Sequence, residues 1–64
     1  MEDYQKRVVR ERNELNRKKE SLRDFIFENS RFKSLRRAEQ VRMIQQLGFM
    51  EGYLSLLNDR IKAF

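Results

Sequence analysis

The sequence predicts an all-α protein: an antiparallel two-helix hairpin that pairs into a four-helix bundle or a larger helical assembly. Three observations lead there. Met43, Leu47, Met50, Leu54, Leu57, Ile61 and Phe64 recur at steps that alternate four and three. That alternation keeps them on one face of a helix. Upstream, Tyr4, Val8, Leu15, Leu22 and Phe25 form a second, weaker stripe, which Ile26 widens at its far end. The chain has no proline, and its period breaks once, in the Asn- and Ser-containing stretch Asn29–Ser34.

The length of 64 residues sets a single domain, 1–64. A domain this small buries only about 60% of its unfolded surface, so a partner or self-association is expected to complete it. No cysteine is present to supply a disulfide.

Residues 3–28 read as the first helix, with Asp3 as its cap or as an acid of the first turn. Glu11 and Lys18 occupy stripe positions, and most of the remainder are good helix formers. Residues 29–34 read as the connection. Phe32 is expected to tuck beneath it as a plug, and Ser34 to cap the next helix. The second helix is expected over residues 35–62, although Arg36 and Arg37 face its dipole unfavourably. Gly48 and Gly52 each weaken it by about 1 kcal/mol relative to alanine. A slight bend or one crowded contact is the expected reason for them. A break near Gly48, giving three helices, is the alternative.

A short connection makes the helices antiparallel. Leu22 then lies near Met43, Leu15 near Met50, Val8 near Leu57 and Tyr4 near Ile61. Glu11 faces Leu54 and Lys18 faces Leu47, mismatches for a closed core that suit a place where two hairpins meet. Val41, Ile44 and Phe49 lie off the main stripe and broaden the apolar face of the second helix. A broad face calls for further helical neighbours. The expected oligomer interface is therefore Glu11, Lys18, Val41, Ile44, Gln45 and Phe49, and the first expected partner is a second copy of the chain.

The chain is expected not to be an enzyme. It has no histidine and no cysteine, which excludes papain-like and serine-protease-like triads and makes a classical zinc site improbable. Gly48 and Gly52 have no phosphate-loop context. No cofactor and no metal are expected. No apolar run approaches the roughly 20 residues that span a bilayer, and the opening MEDYQKRVVRER does not read as a signal peptide. The absent cysteine fits a reducing cytoplasm.

Two groups of residues are candidates for binding. Tyr4, Arg7, Tyr53, Arg60 and Phe64 are expected to gather at the open end of the hairpin. Arginine and tyrosine together can clamp a planar or anionic ligand. Arg31, Lys33, Arg36 and Arg37 cluster at the turn with no acid among them, a candidate surface for nucleic acid or another anion. On the first helix acids interleave with the bases, the pattern of a solvated face. The net charge of +5 is compatible with either use or with solubility alone.

Asp3, Tyr4, Gln5, Arg7 and Val8, then Glu14 and Leu15, then Phe25 and Ile26, then Gln46, Leu47, Met50, Tyr53, Leu57, Arg60 and Ile61 also form a recognisable pattern. It resembles a family of very short helical proteins encoded by phages and prophages. Their typical pattern is D-Y-Q-x-R-V at the start and Q-L-x-x-M-x-x-Y-x-x-x-L-x-x-R-I near the end. Arg36 and Arg37 depart from it, since members often carry an acidic or capped segment there. The resemblance implies a phage accessory protein in the cytoplasm of a bacterial host, acting in counter-defence or regulation. Such a protein would sequester a small anionic, nucleotide-type ligand or mask a host protein. A nucleic-acid-binding module using the basic turn and a purely structural assembly protein are the alternatives.

Overall fold

The structure is a computed structural model that describes all residues, Met1 to Phe64. Helix α1 spans Asp3–Glu28 and helix α2 spans Arg37–Lys62. A single 3-10 turn, Ser30–Ser34, joins them. The result is an antiparallel hairpin, a rod of 46 × 15 × 14 Å.

Glu2 precedes α1 as its N-cap, and its backbone N–H donates to the Gln5 side chain at 2.7 Å. Asp3 is the acid of the first turn. At the other end Asn29 leaves the helix in an extended conformation, and its Oδ1 accepts the Arg31 N–H at 2.9 Å. That bond starts the 3-10 turn. Phe32 is buried beneath it, edge-to-face on Phe25 with ring centres 6.3 Å apart. No residue of the chain has a positive φ, so the reversal needs no glycine.

Ser34 does not cap α2. Its hydroxyl donates back to the Arg31 carbonyl at 2.7 Å, and α2 begins at Arg37 with Arg36 as the N-cap. Gln40 ties this end down instead. Its Nε2 donates to the carbonyls of Leu35 at 2.9 Å and Lys33 at 3.3 Å. Helix α2 then runs unbroken through Gly48 and Gly52. No atom lies within 4 Å of where a Cβ would stand on either glycine, apart from the helix itself. The crowded contact expected there is absent from the hairpin.

Val8, Leu47 and Leu57 are buried in the seam, and Leu15, Leu22, Met43, Met50, Leu54 and Ile61 are half-buried along it. The inward stripe of α1 differs from expectation by one position in its polar layers. Glu11 and Lys18 are exposed, whereas Arg12 and Lys19 are half-buried. The long aliphatic stems of Arg and Lys cover apolar surface while their charged ends reach out. Arg12 also has a partner across the seam, since its Nη1 donates to Asn58 Oδ1 at 2.9 Å. The expected pairs Glu11–Leu54 and Lys18–Leu47 are replaced accordingly. At the open end the Tyr4 ring meets Phe64, with ring centres 5.8 Å apart, two of the residues expected to gather there.

Candidate functional groove on α2

The five residues expected at the open end divide into two places. Tyr4 and Phe64 pack edge-to-face and leave their outer surfaces half-open. Arg7 and Arg60 are exposed nearby in sequence, but none of these four lines a surface concavity. Tyr53 lies 11 residues before Phe64, about 16 Å along the helix axis. It belongs to another group.

That group is an open groove of about 420 Å³ lined by Arg42, Gln45, Gln46, Phe49, Met50 and Tyr53. Residues 42, 46, 49 and 53 recur at steps of four, three and four, so one helix presents them as a strip. Phe49 is 80% exposed and Tyr53 45% exposed. Their rings offer stacking surface, and the two carboxamides offer donors and acceptors. Arg42 Nε donates to Glu39 Oε1 at 2.9 Å. That bond orients the guanidinium and leaves both terminal nitrogens free to donate. Sequence reasoning saw Gln45 and Phe49 as interface residues and Tyr53 as a binding residue, but missed Arg42; Met50, expected in the seam, is half-buried there and also borders the groove. The four-three spacing from Arg42 to Tyr53 was the available signal.

The turn residues Arg31, Lys33, Arg36 and Arg37 are all exposed. None forms an ion pair; the two ion pairs present are Lys19–Glu20 and Glu39–Arg42. Val41, Ile44, Gln45 and Phe49 are exposed along α2, and Glu11 and Lys18 along α1. A second concavity, of about 430 Å³, lies on the last turns of α1 among Ser21, Asp24, Phe25, Glu28 and Asn29. Its two carboxylates make it a poor place for an anion.

No three His, Cys, Asp or Glu residues stand together as metal ligands, and no helix is long and apolar enough to cross a membrane. The fold and groove define a very small all-α hairpin protein with an exposed aromatic and amide surface on one helix. A family model matches residues 2–63, and the chain belongs to the Sequestin family. No curated protein and no solved structure matches the chain.

Proposed function

We propose that this protein is a non-catalytic, homo-oligomeric binding protein that holds a small anionic, nucleotide-type ligand in the Arg42–Tyr53 groove and so withdraws it from use. The observation that carries this reading is the convergence of one guanidinium, two carboxamides and two exposed aromatic rings on one strip of α2. Nothing in the hairpin covers Phe49. Rings of this kind take a planar base by stacking, and Arg42 meets its phosphate. Glu39 offsets part of the Arg42 charge, so stacking is the larger attraction. The family name, Sequestin, supports a sequestering role. The phage-type sequence pattern favours a counter-defence or regulatory setting inside a bacterial host. Masking of a host protein through the same aromatic surface is the other form such withdrawal takes.

Isothermal titration of the purified protein with a panel of mononucleotides, cyclic nucleotides and dinucleotides tests the ligand. At least one member should bind saturably, and Phe49→Ala and Arg42→Ala should each weaken it tenfold or more. If no nucleotide in the panel binds, or if both variants bind like the parent, the groove is not the site.

A second reading has one observation in its favour. The four turn cations have no acidic partner, the arrangement that attracts a phosphate backbone. On that reading the chain is a nucleic-acid-binding module that uses its basic end.

A further inference from the structure

Three phenylalanines stand near the turn, and the fold uses two of them. Phe25 and Phe32 pack edge-to-face with ring centres 6.3 Å apart, and Phe32 is buried. Phe27, in the last turn of α1, is 65% exposed. It lies two residues after Phe25, about 200° around the helix, and so faces another side. Arg23 meets its ring there, with the guanidinium carbon 5.5 Å from the ring centre. A cation in that place covers one face of the ring and leaves the opposite face to solvent.

The same end of the rod carries charge of one sign. From Asn29 to Ala38 the chain holds Arg31, Lys33, Arg36 and Arg37 and no acid. All four are exposed and none is in an ion pair. The rod is only 15 × 14 Å in cross-section, so its tip gathers these cations close to Phe27. A stacked strand carries one phosphate per about 3.4 Å, so about four phosphates span that width. The nearest acids on α1, Asp24 and Glu28, line the concavity beside Phe25. They turn an anionic strand away from that flank.

We propose that the turn end of the hairpin binds single-stranded nucleic acid, with Arg31, Lys33, Arg36 and Arg37 on its phosphates and one unpaired base stacked on the open face of Phe27. This rests on the second reading above, that the basic end meets nucleic acid, and adds the form of the strand. A duplex offers the same phosphates but keeps its bases inside, out of reach of the ring. A single strand brings both together, and every base has a face to stack. Three of the four cations are arginines, whose planar fork meets phosphate through two bonds. An acidic peptide brings carboxylates but no base for Phe27. A lipid surface takes up a broad apolar face, and on its own helix Phe27 has Arg23, Asp24 and Glu28 within one turn.

The chain has no tryptophan, so Phe27→Trp places a single fluorescent reporter on the stacking surface. A short single-stranded oligonucleotide should quench it saturably. The matching duplex, polyglutamate and phosphatidylserine vesicles should not. Phe27→Ala should weaken binding of the labelled oligonucleotide, read by anisotropy, about tenfold. It should leave the slope of log affinity on log salt unchanged. That slope should be about −3 in the parent for four phosphates, and about half as steep in Arg36→Ala with Arg37→Ala. Phe27 is exposed, so circular dichroism should show its variants as helical as the parent. Phe49→Ala, in the α2 groove, should bind the oligonucleotide like the parent, which separates this test from that of the groove. Equal affinity of Phe27→Ala and parent overturns the proposal, and with an intact salt slope it leaves the basic end as a plain phosphate surface. Quenching by the duplex, polyglutamate or vesicles to the same degree, or no retention of the oligonucleotide at low salt, overturns it as well.

Discussion

Arg12 and Asn58 form the one side-chain hydrogen bond that joins the two helices, Nη1 to Oδ1 at 2.9 Å. Arg12 is held from its own helix as well, because its Nε donates to Asn13 Oδ1 at 2.8 Å. The guanidinium thus bridges a neighbour on α1 and a partner on α2, and it does so from a half-buried position. A hydrogen bond to a charged group in such a place contributes about 1–2 kcal/mol. In a double-mutant cycle of Arg12→Ala and Asn58→Ala, urea denaturation should show a coupling energy of about 1 kcal/mol. Independent, additive losses would mean that the bond is not formed in solution.

Leu57 and Leu56 are adjacent but face opposite ways. Leu57 is 1% exposed and Leu56 64% exposed. Leu57→Ala should cost about 3 kcal/mol of unfolding free energy, from lost transfer energy and the cavity left behind. Leu56→Ala should leave the unfolding of an isolated hairpin nearly unchanged and act on assembly instead. Denaturation at two protein concentrations separates the two effects, since only loss of an intermolecular contact changes the concentration dependence of the midpoint.

Phe32 closes the turn end of the core against Phe25. Phe32→Ala should destabilise the fold by about 3 kcal/mol and release the first turn of α2. Hydrogen exchange should speed up most at Arg37 to Val41. If protection there is unchanged, the 3-10 turn holds itself through the Gln40 and Asn29 bonds alone.

Glu20 pairs with its neighbour Lys19 at 2.8 Å. Its pKa is lowered, first by the hydrogen bond from Lys19 and then by the Lys19 charge, with Arg23 adding to it. A carboxyl whose pKa falls on folding stabilises the protein at pH above the unfolded value. That contribution is lost as pH falls through the lowered folded value. The Glu20 contribution to thermal stability should therefore be flat near neutrality and decline below the ordinary carboxylate range. Glu20→Gln should reduce the decline slightly, because the pair is solvated. An identical acid profile for Glu20→Gln would remove the assignment.

The basic turn separates the nucleic-acid reading from the groove. If Arg31, Lys33, Arg36 and Arg37 track phosphates, binding to a short duplex should weaken steeply with added salt. Arg36→Ala together with Arg37→Ala should lower the salt slope by up to two, leaving nucleotide binding in the groove intact. Failure to retain DNA or RNA at low salt would dispose of that reading.

The hairpin was legible because α2 repeats an apolar residue every four or three positions without error, and because only one stretch breaks the pattern. The polar layers of α1 were not legible in the same way. Glu11 and Arg12 are both polar neighbours, and hydrophobic period alone ranks neither. Stem length and a partner 46 residues away, Asn58, turned Arg12 inward. Ser34 has the chemistry of a cap, but a local carbonyl takes its hydroxyl, a competition that composition does not reveal. Tyr53 was grouped with Phe64 on residue type, where the rise of the helix places it beside Phe49. The glycines were legible as a weakness in α2, but their lack of any neighbour shows only in three dimensions.

The absence of any left-handed residue in the reversal has an evolutionary consequence. Of the turn segment from Ser30 to Ser34, only Phe32 is buried. The other positions are open to substitution without forbidden backbone geometry. The charge displayed at that end is thus uncoupled from the ability to fold. A lineage of such hairpins can exchange basic for acidic tips, and so change what the tip touches, while the seam and the α2 groove are inherited intact.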